Sequence, residues 1–119
     1  MEKAVKTDPV RAKAKYHHGD LREALVQASY DLVLMKGAEN FTLAEACRLA
    51  GVSTAAPYKH FKDRDEVLAL IVARGFDRMS EKSMRAVEAA GVGTLAGIIA
   101  MGRAYVHFAV DNEKLFRLM

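Results

Sequence analysis

Thr42-Leu-Ala-Glu-Ala-Cys-Arg-Leu-Ala-Gly-Val-Ser-Thr-Ala-Ala-Pro-Tyr-Lys-His-Phe61 reads as a short helix, a glycine turn and a second short helix. The second helix ends in a basic-aromatic cluster. Leu43, Ala46, Cys47 and Ala50 recur at three- and four-residue spacing and form one inward stripe, while Glu45 and Arg48 face water. Gly51 supplies the positive φ that ends a helix at little cost, and Val52 follows as an apolar plug. Ser53 or Thr54 can cap the next helix through its side-chain oxygen. Short helices joined by a tight glycine turn are the unit that presents a recognition helix to the major groove of duplex DNA.

Working outward, Asp63-Arg64-Asp65-Glu66 starts another helix, with Asp63 as cap and Glu66 at the reciprocal capping-box position. Val67, Leu68, Ile71, Val72, Gly75, Phe76 and Met79 continue it at helical spacing. Upstream, Asp20 caps a helix whose Glu23 closes a second box. Leu21, Leu25, Ala28, Leu32 and Met35 line its face until Gly37. The spacing predicts helices over roughly 21–36, 43–50, 54–60 and 64–88.

The block from Leu21 to Leu68 resembles the DNA-binding domain of the tetracycline-repressor (TetR) family of transcriptional regulators. The resemblance rests on the small-residue first helix ending at Gly37, on Phe41-Thr42, on Ala50-Gly51-Val52-Ser53 and on Tyr58-Lys59-His60-Phe61. Arg64 stands at a basic position where the family more often carries lysine. The leader Tyr16-His17-His18-Gly19-Asp20-Leu21-Arg22 resembles an opening found in one branch of the family. The implied architecture is all-α: a three-helix bundle with a helix-turn-helix, a long connecting helix and the first helices of a helical regulatory domain. Residues 1–19 form a basic arm, 20–82 the DNA-binding domain with its connecting helix, and 83–119 the beginning of a ligand-binding and dimerisation domain. Family members run to about two hundred residues, so the chain reads as a fragment whose dimer interface lies beyond Met119.

The resemblance implies a ligand-responsive regulator, most often a repressor, acting as a homodimer on a palindromic operator. Its partners are double-stranded DNA and an unknown small-molecule effector. Tyr58 and His60 match the family's phosphate-binding pair; packing for Tyr58 and capping for His60 are the plainer readings. Lys59 reaches phosphate or a guanine edge, or is simply solvated, and Arg64 adds charge where the following helix starts. Phe61 belongs to the core. Thr42 opens the first helix of the motif and counts among the DNA-facing residues.

Base reading falls to Thr54, Ala55 and Ala56, whose chemistry is sparse. Two alanines read only a thymine methyl, and Thr54 adds one hydroxyl and one methyl. Specificity therefore leans on Lys59, the basic arm, DNA shape and doubling of the half-site. Pro57 departs from the family, which usually has an apolar residue such as leucine there. It is tolerated in a first turn, and predicts a short, stiff recognition helix starting at 54 or 55.

Beyond Gly91-Val92-Gly93, Leu95, Ile98, Ile99, Gly102, Tyr105, Val106 and Ala109 give a further helix ending near Asp111-Asn112. Met101, Tyr105 and Phe108 lie at i, i+4 and i+7; the stripe is either plain core or, as the resemblance implies, one wall of an effector pocket. Glu113 to Met119 begins a last helix with nothing in the chain expected to complete its packing.

Composition bounds the remaining classes. The chain has 119 residues, 51% of them hydrophobic and 28% charged, with a net charge of +3. That suits one modest core, and makes the placement of charge matter more than its sum. Lys3, Lys6, Arg11, Lys13 and Lys15 crowd the arm; Lys59, Lys62 and Arg64 crowd the end of the recognition helix. The lone cysteine, Cys47, excludes an intramolecular disulfide and suits a reducing cytoplasm as a buried structural thiol. No signal peptide or membrane span is expected, because Arg103 and His107 interrupt the apolar run from Leu95 to Val110. His17, His18 and Asp20 invite a metal, but adjacent histidines cannot share one helix face and no second cluster completes the ligand set. No cofactor is called for, and no nucleophile-base pair, carboxylate pair or phosphate loop points to an enzyme. A different class remains open: a helical protein-interaction module that does not bind DNA.

Overall fold

The computed structural model describes residues 20–119. The basic arm over residues 1–19, with His17 and His18, lies outside the described residues. Those described contain five α-helices and no strand, so the chain is all-α. In order they are α1 (Leu21–Lys36), α2 (Leu43–Ala50), α3 (Arg64–Ala90), α4 (Leu95–Asp111) and α5 (Glu113–Leu118). One 3-10 turn, Ala38–Asn40, joins α1 to α2, and another, Ala56–Lys59, lies between α2 and α3.

Local signals account for the helix ends. Asp20, Thr42, Asp63 and Thr94 each accept the backbone N–H three residues on, at 3.3, 3.1, 3.0 and 3.0 Å. Neither expected capping box closes as drawn. Glu23 turns away from its cap and pairs with Arg74 at 2.9 Å, an ion pair across two helices. Glu66 reaches back one residue further than expected and accepts the Lys62 N–H at 2.7 Å. Gly37 and Gly51 end α1 and α2 with φ of 86° and 77°, values that glycine adopts without a Cβ penalty.

The core is one hydrophobic cluster centred on α1. Leu25, Ala28 and Leu32 pack on one side and Val26, Tyr30 and Val33 on the other, so α1 is covered over most of its circumference. Met35 does not continue this face: it is 66% exposed, lying in the last turn as the helix emerges from the cluster. From α2 come Leu43, Ala46, Cys47 and Ala50, the expected stripe, and from α3 come Val67 and Ile71. Phe41 and Phe61 are both almost fully buried in the same cluster.

One expectation about the last third is overturned, that nothing in the chain completes the packing of its last helix. Helix α4 packs on α3 through Gly97 and Phe108, which are buried, with Ala100 and Ala104 partly covered between them. Small side chains let the two backbones approach closely, and the Gly97 Cα sits against the Gly91 carbonyl. The larger apolar side chains of the helix, Leu95, Ile98, Ile99 and Val106, face out. Helix α5 is not without a partner. Leu115 is fully buried in the main cluster, Phe116, Leu118 and Met119 pack against it, and Lys114 Nζ donates to the Met35 carbonyl at 2.9 Å. Gly75 provides the notch on α3: its Cα faces Met119 and Leu115, leaving little room for a side chain. Helix α3 runs unbroken through the expected domain border at residues 82–83. No helix among the described residues is long and apolar enough to cross a membrane.

Candidate nucleic-acid interface

The glycine turn and its 3-10 continuation set the geometry of the site. The Val52 N–H donates to the Cys47 carbonyl at 3.0 Å, closing α2 around Gly51. Ala56 N–H then donates to Ser53 O at 3.1 Å and Tyr58 N–H to Ala55 O at 3.3 Å. Both are i to i+3 bonds, so the segment expected as an α-helix over 54–60 is a single 3-10 turn at Ala56–Lys59. Pro57 explains the difference. It has no N–H to offer Ser53, so the ladder of an α-helix is interrupted where it would begin. Neither Ser53 nor Thr54 caps the turn with its side chain.

Pro57 itself is fully buried, and Phe61 is 3% exposed. Phe61 N–H donates to Pro57 O at 2.8 Å, so two buried rings anchor both ends of a five-residue segment. Between these anchors Tyr58, Lys59 and His60 point outward, Tyr58 at 64% exposure. The turn thus carries a phenol, an ammonium and an imidazole on three successive exposed residues. The chemistry available there is hydrogen-bond donation and positive charge, which suits phosphate oxygens.

The remaining candidates divide. Thr54 and Ala55 are exposed, but Ala56 is buried and packs inward with the 3-10 turn. Thr42 is exposed, yet its hydroxyl is occupied at the start of α2, accepting from Glu45 N–H and donating to Glu45 Oε1 at 3.4 Å. Arg64 is turned inward. Its Nε donates to the Phe41 carbonyl at 3.3 Å, its Nη2 to the Ala38 carbonyl, and its guanidinium lies 5.4 Å over the Phe41 ring. Helix α3 is thereby fastened to the α1–α2 connection, and Arg64 does not join the exposed edge.

The three residues considered for an effector pocket also separate. Met101 and Tyr105 are about half exposed, at 46% and 47%, while Phe108 is in the core beside Leu115. Tyr105 meets Phe116 of α5 edge-on, with ring centroids 5.7 Å apart. Cys47 is fully buried, and burial pushes its thiol above the ordinary value.

Sequence reasoning missed several polar contacts that shape the site. The Arg22 guanidinium stands 5.3 Å from the Phe61 ring centroid. Arg74 of α3 donates to both Gln27 and Glu23 of α1 at 2.9 Å, and Arg78 lies 4.9 Å over the Tyr30 ring. Lys36 pairs with Glu45 at 2.6 Å and holds that carboxyl below the usual glutamate range. Each joins residues too far apart in sequence for any local pattern to reveal them.

No protein-family model and no curated protein matches the chain. Among solved structures it is similar to a protein with unknown function from Rhodococcus sp. RHA1, at 39% sequence identity and a TM-score of 0.74. The likeness covers 87% of this chain and 54% of that one, so the chain spans about half the length of its relative. It extends the all-helical fold to a second sequence and carries no activity with it.

Proposed function

We propose that the chain is the DNA-binding part of a TetR-type transcriptional regulator, with a helix-turn-helix formed by α2, the Gly51 turn and the 3-10 turn. The observation that carries this reading is the outward edge of Tyr58, Lys59 and His60 held between buried Pro57 and Phe61. Three donors fixed at one rigid turn suit a phosphate backbone, where position matters more than sequence. Thr54 and Ala55 stand next to them and offer a hydroxyl and methyl groups to base edges. Ala56, being buried, is withdrawn from that role, and Arg64 acts by holding the α1–α2 connection.

In this mechanism the regulator is a homodimer, and a small-molecule effector shifts α3. Tilting α3 changes the distance between the two half-readers, which must match successive major grooves about 34–36 Å apart. The sparse base chemistry makes doubling of the half-site the main source of specificity. Repression is the expected outcome, and the reading involves no catalysis and no cofactor.

A duplex titration at increasing salt tests the proposal. Binding should weaken steeply with salt, with a log-log slope near 0.9 for each phosphate contacted. Tyr58→Phe, Lys59→Ala and His60→Ala should each weaken it without lowering stability. The exposed α4 face of Leu95, Ile98 and Val106 favours a second reading, a module that contacts protein only. Absence of binding to any duplex by the dimeric full-length protein would select that second reading.

A further inference from the structure

We infer that Arg22 is an additional phosphate-binding residue of this interface, an inference that rests on the DNA-binding reading above. Arg22 lies in the first turn of α1 and is exposed, and its guanidinium stands 5.3 Å from the Phe61 ring centroid. Phe61 follows His60 directly, and the two rings are 6.2 Å apart. The arginine therefore sits beside the Tyr58–His60 edge although it is far from it in sequence. The guanidinium lies over the buried Phe61 ring while the residue stays exposed, an arrangement that favours cation–π stacking on one face. Among the described residues no carboxylate lies within ion-pair distance of Arg22. Asp77 lines the shallow cleft between α1 and α3 that Arg22 also borders, without forming such a pair.

The contrast with Arg64 gives the assignment its point. Arg64 satisfies its N–H groups on the Phe41 and Ala38 carbonyls, whereas the donors of Arg22 have no such partners among the described residues. A planar fork whose donors have no partner among the described residues, lying over the Phe61 ring next to exposed His60, matches a phosphate oxygen pair. Arg22 also follows the basic residues Lys3, Lys6, Arg11, Lys13 and Lys15 in sequence.

The test measures binding of the dimeric full-length protein to a mixed-sequence duplex of about 30 base pairs over a salt series. Arg22→Met keeps an apolar stem over Phe61 and removes the charge. It should bind roughly tenfold more weakly and lose about one unit of phosphate contact from the salt slope. Arg22→Lys should keep the slope while binding more weakly, because it keeps charge without the fork. Thermal unfolding of each variant reports whether the fold persists, and Arg22→Gln serves if the methionine variant does not fold. Wild-type binding with unchanged affinity and slope in the folded variant overturns the assignment of Arg22 alone. Failure of the wild-type dimeric full-length protein to bind the duplex at low salt removes both this assignment and the function on which it rests.

Discussion

Arg64 lies with its guanidinium 5.4 Å over the Phe41 ring and its Nε on the Phe41 carbonyl, so one side chain grips both the ring and the backbone of one residue. A third contact, to the Ala38 carbonyl, fastens the same group to the 3-10 turn after α1. The first residue of α3 thereby holds the α1–α2 connection in place. Arg64→Ala should lower unfolding free energy by about 1–3 kcal/mol, since it leaves partly buried carbonyls without a charged donor. Lys59→Ala, on an exposed side chain, should change it by less than about 0.5 kcal/mol. Urea unfolding of both variants makes the comparison. Equal stabilities would remove the strut role.

Leu115 ties α5 to the main cluster, where it is fully buried beside Phe108. Leu115→Ala should cost about 2–5 kcal/mol, the range for a buried leucine whose site collapses only in part. Substitution of the exposed Leu95 by alanine should cost far less. Calorimetric unfolding of the two variants separates them. If Leu115→Ala melts with the wild type, α5 is not part of the core in solution.

Glu45 supplies a pH signature. The hydrogen bond from Lys36 holds its carboxyl below the ordinary glutamate value. A carboxyl depressed in the folded state contributes stability above its unfolded value, and that contribution disappears as pH falls through the folded value. Glu45→Gln should therefore be less stable than wild type at neutral pH, with the difference shrinking below the ordinary glutamate range. Denaturation midpoints measured from pH 7 down to about pH 3 follow this trend. A difference that stayed constant with pH would mean that the pair contributes nothing through ionisation.

Cys47 is fully buried and its thiol is raised by burial, so little thiolate is present and little of it is reachable. A thiol-specific reagent should label the native protein at neutral pH much more slowly than the urea-unfolded chain. Comparable rates in the two states would show that the α1–α2 packing opens readily.

Local signals were legible without the fold. Asp20 and Asp63 with their caps, Gly37 and Gly51 at helix ends, and the Leu43–Ala50 stripe act within about one helical turn, and the structure carries them where expected. The Tyr58–His60 edge and the buried Phe61 were legible for the same reason. Pro57 shows the missing N–H in sequence, but the 3-10 turn that replaces an α-helix there follows only from the folded backbone.

Tertiary structure decided what local pattern leaves undetermined, namely which of several partners a side chain takes. Glu23 abandons its cap for Arg74, which approaches only when α3 lies along α1. Arg64 turns inward because the carbonyls of Ala38 and Phe41 lie within reach of its fork. Helix α4 has apolar residues on more than one face, so periodicity alone could not choose its buried side; close approach selected Gly97 and left Ile98 and Val106 outside. Helix α5 finds its partners on α1 and α3, including a notch at Gly75 that only the folded chain creates. By itself the sequence determined where the five α-helices start and stop, though not the 3-10 form of the turn at Ala56–Lys59, because caps and glycines act over a few residues. The packing decided which faces and charges remain for a partner, because burial and long-range hydrogen bonds are settled only when distant segments meet.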